Sequence, residues 1–205
     1  MLGAILTDLT AMATGLAVSG KPLLISQKAA PIGITPSIVC INPNYAANLG
    51  KIQRLASCYG IPQVFYTGDR IRIKEGARLP REERMKGFKD VQLIQYDRPL
   101  DQFKDATPVA IEVRENAESL FEFEHPDNPV YVFGPEDGFI PQAILQHCHR
   151  FVVVPVRHCM NLATCVSTIL WDRELKLHLA GKVMKKITPI SWENRGGQFA
   201  EADFE

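Results

Sequence analysis

Short, nearly continuous apolar runs alternate with amphipathic segments along most of this chain, and that alternation constrains its fold more than any other feature. The runs are rich in β-branched and aromatic side chains, which is typical of strands buried on both faces. They are Ser37–Ile41, Gln63–Tyr66, Val91–Tyr96, Val109–Val113, Val130–Phe133 and Phe151–Val154. Strands that alternate with helices favour a parallel sheet with helices on both faces, so the predicted fold class is α/β.

Two of the intervening segments have a helical period. In Leu49–Tyr59 the apolar residues fall at i, i+3, i+4 and i+7, which gives a helix one apolar face. Leu162–Leu179 has a similar spacing in its first turns. The two ends of the chain lack this pattern. We therefore predict an N-terminal arm or linker over 1–36, one folded domain over 37–181 and a polar tail over 182–205.

The charge balance excludes one class of protein and points to a local basic surface. The 205 residues include 23 basic and 23 acidic side chains, so the formal net charge is zero. A histone-like polycation is therefore excluded. The segment 70–89 nevertheless holds eight basic and three acidic side chains. This segment is either a surface for a polyanion or a solvated helix with internal ion pairs.

The sequence contains no signal for a membrane or for export. No run of about 18 uncharged apolar residues occurs, so no transmembrane helix is predicted. The first 20 residues lack a basic start and are interrupted by Asp8, which argues against a signal peptide. The five cysteines are odd in number and scattered. These features predict a reduced protein of the cytoplasm.

Three polar segments follow predicted strands, at the end of the strand where ligands bind in open parallel sheets. The first begins after Ile41 and contains Asn48, Gly50 and Arg54. Taken alone, it reads as a helix start in which Asn48 is a cap, Gly50 allows close packing and Arg54 is a solvated charge.

The second segment runs from Gly134 through Glu136 to Gly138, and its glycines would let a ligand approach the backbone. Its ordinary reading is a Pro-Gly turn with solvated acids. The third segment leads from Val154 through a short loop to Asn161. Its ordinary reading is a cap at the start of a core helix.

Together, in this order, the three segments resemble the signatures of the SPOUT superfamily of RNA methyltransferases, in its SpoU (TrmH-like) ribose 2′-O branch. Asn48, Gly50 and Arg54 match the Asn-x-Gly-x-x-x-Arg element of that family. The second element, Gly-Pro-Glu-x-Gly, begins at Gly134, and the third ends in Cys159-Met-Asn-Leu. Cys159 replaces the usual Ser, the loop before it is about three residues short, and the basic segment 70–89 is not associated with the minimal family core.

The resemblance implies a parallel-sheet fold with a deep trefoil knot in the C-terminal third, in a methyltransferase domain over 37–181. It implies transfer of a methyl group from S-adenosylmethionine (SAM) to a ribose 2′-hydroxyl of tRNA or rRNA, without a metal. A homodimer is also implied, because two chains complete the active site in the family.

The resemblance further assigns roles to individual residues. The catalytic set is Arg54, Asn48, Glu136 and Asn161. The set that binds SAM is Ile111, Phe133, Gly134, Gly138, Val154, Val156, Cys159, Met160 and Leu162. The set expected to contact RNA phosphates is Arg70, Arg72, Lys74, Arg78, Arg81 and Arg84. Arg54 would remove the hydroxyl proton or position the adjacent phosphate, and the other catalytic residues would orient it.

Three alternatives remain at this stage. A noncatalytic RNA-binding relative would have the fold and lose one of the catalytic residues, all of which are present. A dinucleotide-dependent enzyme would need Gly-x-Gly-x-x-Gly after its first strand, and none occurs. A metal site would draw on His147, Cys148, His149, His158 and Cys159, although no Cys-x-x-Cys pair supports it.

Overall fold

A single sheet of parallel strands forms the centre of the protein. The computed structural model describes residues 35–71 and 91–182. Within these residues the sheet has seven strands in the order β3-β2-β1-β6-β4-β7-β5, and every neighbouring pair is parallel. The strands are β1 (Ser37–Cys40), β2 (Gln63–Tyr66), β3 (Gln92–Gln95), β4 (Thr107–Ile111), β5 (Glu118–Ser119), β6 (Pro129–Phe133) and β7 (Arg150–Val153). The predicted α/β class with a parallel sheet is confirmed.

Helices cover both faces of this sheet. The described helices are α1 (Ala46–Tyr59), α2 (Gln142–Leu145) and α3 (Leu162–Leu179), and a single 3₁₀ turn spans Pro99–Gln102. Helix α1 ends at Gly60, whose left-handed φ of 69° lets its N–H reach the carbonyls of Ala56 and Ser57.

Alternate residues of each central strand enter two separate cores. On one face, Ile38 of β1 and Tyr131 of β6 pack among the apolar residues of α1 and α3. On the other face, Val39 and Val132 pack with Ile140 and the residues around α2. Because consecutive strand side chains point to opposite faces, burial on both sides requires a nearly continuous apolar run. This requirement explains the pattern in the sequence.

Sequence reasoning placed several boundaries wrongly and missed some short elements. Strand β4 spans Thr107–Ile111 rather than the predicted Val109–Val113, so both of its ends lie two residues earlier. Helix α1 begins three residues before the predicted Leu49, so Asn48 lies inside its first turn and is not its cap. Strand β5 and helix α2 were not predicted, since two and four residues carry too little periodicity.

The order of the last strands departs from the order of the chain. Strand β7 lies between β4 and β5, although β4 and β5 are joined directly by residues 112–117. The chain therefore inserts a later strand between two that precede it. Such an insertion is uncommon in parallel sheets, where sequential strands are usually neighbours.

The residues group into two compact units, Met1–Arg173 and Glu174–Glu205. The second contains the last turns of α3, of which Leu177 is buried. The predicted arm over 1–36 lies outside the described residues except for its last two, and the predicted tail lies outside them after Lys182. No helix in the described part of the chain has the length and apolar character needed to cross a membrane.

The turn after β1 is strained and fits closely against the turn after β2. Asn42 has a φ of 43°, which is unfavourable for a residue with a side chain, and its N–H donates to Thr67 Oγ1 at 3.0 Å. Gly68, with a φ of 78°, lies so close that a Cβ there would be 2.2 Å from Asn42 Oδ1. A side chain at position 68 would thus be unfavourable for two reasons, the left-handed backbone conformation and the lack of space beside Asn42.

Replacing Gly68 with alanine should therefore destabilise the protein by about 2–4 kcal/mol, through the left-handed conformation and the contact with Asn42 together. Urea unfolding followed by circular dichroism measures this loss. Gly181→Ala is the matched control, because Gly181 has a φ of 71° but no atom within 4 Å of an added Cβ. Its cost should stay near 1 kcal/mol. Equal losses in the two variants would show that the close approach to Asn42 has no energetic weight.

Candidate active site

The three polar segments meet at one edge of the sheet. They follow β1, β6 and β7, and the carboxyl ends of these parallel strands face the same way. Because β6 lies between β1 and β4, and β7 lies beyond β4, the loops after them are close in space although far apart in sequence. This edge is where ligands bind in parallel sheets of this kind.

A chain of hydrogen bonds joins all three segments. Asn48 Nδ2 donates to Glu136 Oε1 at 2.6 Å, across 88 residues of sequence. Asn161 Nδ2 donates to Asn48 Oδ1 at 3.1 Å, across 113 residues. The other Glu136 oxygen, Oε2, accepts the backbone N–H of Asn44 at 2.7 Å. The structure thus brings together three of the four residues assigned to catalysis.

Because Asn48 is buried, the hydrogen bonds of this network cannot be replaced by bonds to water. Asn48 is only 3% exposed, so each of its amide groups needs a protein partner. Its bond to the Glu136 carboxylate is charge-assisted and therefore stronger than a neutral one. Loss of one partner would leave a buried polar group unsatisfied, at a cost of about 1–3 kcal/mol. The network therefore fixes the three loops relative to one another.

Asn161 also begins helix α3. Its Oδ1 accepts the backbone N–H of Ala163 at 3.0 Å and, more weakly, that of Thr164 at 3.4 Å. This is the capping geometry expected from its position before Leu162. The simple reading of Asn161 as a cap is therefore correct, and the same side chain also takes part in the network through its Nδ2 group.

A cavity of about 360 Å³ opens beside this network. All nine residues that the resemblance assigned to the methyl donor line it, namely Ile111, Phe133, Gly134, Gly138, Val154, Val156, Cys159, Met160 and Leu162. Glu136 lines it as well, which connects the cavity to the hydrogen-bonded network. The lining is predominantly apolar with a few polar groups, as in pockets for small organic ligands.

Sequence reasoning missed Glu112, a second carboxylate in the cavity lining. Glu112 follows β4 directly, and its Oε2 accepts the backbone N–H of Ile140 at 2.9 Å. Since Ile140 is only 2% exposed, this carboxylate satisfies a buried donor in the loop after β6. An acidic residue at the carboxyl end of a buried strand was the available signal, and the misplaced end of β4 concealed it.

Gly134 lies close to the loop that follows its own strand. A Cβ at Gly134 would lie 3.3 Å from Ile140 Cγ1 and 3.7 Å from Glu112 Oε2. A side chain there would meet protein atoms of the neighbouring loop. The glycine thus allows the loop after β6 to fold back tightly onto the end of its own strand.

Arg54 lies apart from the other residues assigned to catalysis. It is exposed on α1, and it does not line the cavity. Its guanidinium forms no hydrogen bond or ion pair within the described residues. Asn48, six residues earlier on the same helix, faces the interior. The structure therefore places Arg54 on the site's helix but does not bring it to Asn48, Glu136 or Asn161.

The predicted RNA-contacting residues are only partly described. Arg72, Lys74, Arg78, Arg81 and Arg84 lie outside the described residues. Arg70 is described, and its guanidinium donates to Asp137 Oδ1 at 2.6 Å. This hydrogen bond, together with the positive charge of Arg70, lowers the pKa of Asp137 despite some desolvation. Arg70 thus links the turn after β2 to the loop after β6.

The five thiols differ in accessibility. Burial raises the pKa of the Cys40 thiol, and it raises the pKa of Cys148 and of Cys165 to about 11. Electrostatic interaction with Cys159 adds to the rise at Cys165. Cys58 and Cys159 are exposed. Among the described residues, no group of three or more His, Cys, Asp or Glu side chains is arranged to hold a metal ion.

Comparison with known families gives a match over most of the chain. The sequence profile described as the SpoU rRNA Methylase family matches residues 36–171. This range contains all three polar segments and every described strand. No curated protein sequence matches the chain significantly.

Solved structures share the fold at low sequence identity. A TrmH/SpoU tRNA modifying enzyme from A. aeolicus aligns with a TM-score of 0.60 and 18% identity, over 78% of this chain and 82% of that chain. A structure described under the 2-OH methylation of C/U34 on tRNA aligns with a TM-score of 0.59 and 22% identity, over 71% of this chain and 97% of that chain. The SpoU methyltransferase AviRb from Streptomyces viridochromogenes, in complex with AdoMet, aligns with a TM-score of 0.60 and 15% identity. The alignment covers 74% of this chain and 63% of that chain.

The difference between the thiols gives a test of the site's geometry. A maleimide at pH 7.5 should label Cys58 and Cys159 within minutes and leave Cys40, Cys148 and Cys165 unmodified, because a buried, protonated thiol is a poor nucleophile. Peptide mass spectrometry identifies the labelled positions, and labelling in guanidinium provides the fully reactive control. Labelling of Cys165 as fast as Cys159 would contradict the burial that raises the pKa of the Cys165 thiol.

Proposed function

This chain belongs to the SpoU rRNA Methylase family of RNA methyltransferases, and on that premise we propose that it transfers a methyl group from SAM to a ribose 2′-hydroxyl of tRNA or rRNA. The observation that carries the proposal is the hydrogen-bonded network of Asn48, Glu136 and Asn161 beside the cavity. These residues come from three distant segments, each of which matches one family signature.

The residues around the cavity fit a SAM molecule. The volume of about 360 Å³ lies within the range of pockets for small ligands. Apolar side chains such as Ile111, Phe133 and Val154 suit the adenine ring, while the exposed backbone between Gly134 and Gly138 offers polar groups. When bound, SAM supplies a methyl group on a positively charged sulfur. The AdoMet complex of AviRb, which has the same fold, is consistent with this assignment.

The protein's own residues would act on the substrate hydroxyl. A 2′-hydroxyl is a weak nucleophile, so it needs accurate placement and removal of its proton. Arg54 is the residue we assign to this task, by positioning the adjacent phosphate or by accepting the proton. The phosphate role is chemically easier, because arginine is nearly always protonated. Asn48, Glu136 and Asn161 would hold the loops so that hydroxyl and donor meet.

The exposed position of Arg54 supports the proposal of a homodimer. In one chain Arg54 does not line the cavity, so an active site completed by two chains would give its guanidinium a place to act.

The insertion of β7 between β4 and β5 likewise supports the proposed trefoil knot. We also propose that the basic residues of 70–89 bind RNA phosphates. Relatives described as acting on tRNA and on rRNA both occur among the solved structures.

Replacing Arg54 with alanine should lower methyl transfer by about 10²-fold or more, the scale of a lost acid–base or positioning group. Transfer of a labelled methyl group from SAM to bulk RNA measures this rate. SAM affinity by calorimetry should stay unchanged, because Arg54 does not line the cavity. Arg54→Lys should not restore activity, since a point charge does not reproduce a planar guanidinium.

Lys51→Ala is the matched control for Arg54, because both side chains are exposed cations on α1. It should retain most of the activity. Near wild-type methylation by Arg54→Ala would contradict the assigned role. Binding of RNA and SAM without any transfer by the wild-type protein would favour the noncatalytic alternative.

The basic segment predicts a change in salt dependence. Replacing Arg78, Arg81 and Arg84 together with alanine should weaken RNA binding and reduce the slope of log K against log salt by up to about 3, one for each lost phosphate contact. Fluorescence anisotropy at several salt concentrations measures both quantities. The charge-matched control replaces Arg98, Lys104 and Lys182, which are exposed elsewhere. Equal slopes in the two triple variants would identify 70–89 as a solvated surface.

A further inference from the structure

Glu112 holds a carboxylate at the edge of the cavity, and neither the resemblance nor the family signatures assign it a role. Its Oε2 accepts the Ile140 N–H at 2.9 Å, and its Oε1 accepts the N–H of Val113 at 3.1 Å. Both partners are neutral amides, so neither hydrogen bond cancels the negative charge of the carboxylate. Each carboxylate oxygen also retains acceptor capacity.

The charges around the cavity leave an excess of negative charge. Of the described residues that line it, Glu112 and Glu136 carry carboxylates, Arg157 carries a guanidinium and His158 carries an imidazole. Two carboxylates thus lie in the wall of a partly enclosed space that holds one guanidinium. Charges interact more strongly in such a space than in open solvent, because less water screens them.

The methyl donor and the product that remains from it in the proposed reaction differ by one charge. SAM carries a positive sulfonium, whereas S-adenosylhomocysteine, which remains after methyl transfer, has a neutral sulfur. Their amino, carboxyl and adenosine groups are the same. We propose that Glu112 is a specificity-determining residue that favours binding of the cationic donor over the neutral product. This inference rests on the proposed function.

Selection of this kind would assist turnover. Specificity here is the difference between the affinities for SAM and for S-adenosylhomocysteine. A fixed negative charge changes that difference by attracting the sulfonium, which only SAM carries. Loss of the positive charge on methyl transfer removes the attraction, so the product leaves more readily. Glu136 contributes charge as well, but it is held in the catalytic network and its replacement would disturb that network.

Glu112→Gln separates the charge from the structural role. The glutamine amide oxygen can still accept the Ile140 N–H, whereas Glu112→Ala leaves that buried donor without its partner. Thermal unfolding should therefore show a Tm near wild type for Glu112→Gln and a lower Tm for Glu112→Ala. Glu122→Gln is the matched control, because Glu122 is exposed and does not line the cavity.

The test is isothermal titration calorimetry of the full chain with SAM and with S-adenosylhomocysteine, each at low and high salt. Glu112→Gln should reduce the preference for SAM over S-adenosylhomocysteine by about fivefold to tenfold, through weaker SAM binding alone. Sinefungin, which has an amine in place of the sulfonium group, should lose affinity in parallel with SAM. High salt should narrow the difference between variant and wild type. Glu122→Gln should leave the ratio unchanged.

The possible failures are distinguishable. If wild-type protein binds neither SAM nor S-adenosylhomocysteine, the proposed function itself is wrong. If it binds both and Glu112→Gln has an unchanged ratio, the inference about Glu112 is overturned while the proposed function stands. An equal loss of affinity for both ligands in Glu112→Gln, with a lowered Tm, would likewise overturn it and leave Glu112 with a structural role.

Discussion

The arrangement of this site depends on one buried side chain, Asn48. Its amide donates to Glu136 and accepts from Asn161, so a single polar group holds the ends of β1, β6 and β7 together. At 3% exposure it has little access to water, and its hydrogen-bonding groups must be satisfied by those partners. Separating any one of the three loops from the others would remove a hydrogen bond of this network. The network thus selects one arrangement of the loops that form the cavity.

The parallel sheet makes that network possible. Because β1, β6, β4 and β7 run in the same direction, their carboxyl ends and the loops after them lie on one edge. Apolar side chains on both faces hold the strands rigidly. The backbone near the site contains the strained turn at Asn42, whose side chain lies close to Gly68. Such strain is common where a loop is positioned for a function.

Two carboxylates at the cavity perform different tasks although both accept backbone N–H groups. Glu136 joins the strand-end loops through Asn44 and Asn48, whereas Glu112 holds the loop after β6 through Ile140. In this loop Gly134 also packs closely, because a Cβ there would lie 3.3 Å from Ile140 Cγ1. The cavity wall is therefore built by short-range packing and long-range hydrogen bonds together. This combination lets the loop pack closely and still leave a carboxylate at the cavity.

The sequence by itself determined the class of the fold and the identity of the three segments, because buried parallel strands need continuous apolar runs and each segment follows one of them. It also determined Asn161 as a cap, since capping depends on neighbours two and three residues away. Only the tertiary structure decided that Asn48 is a buried link and not a cap, that Glu112 borders the cavity, and that Arg54 lies outside it. Those outcomes depend on contacts between residues far apart in the chain, and local periodicity carries no information about such contacts.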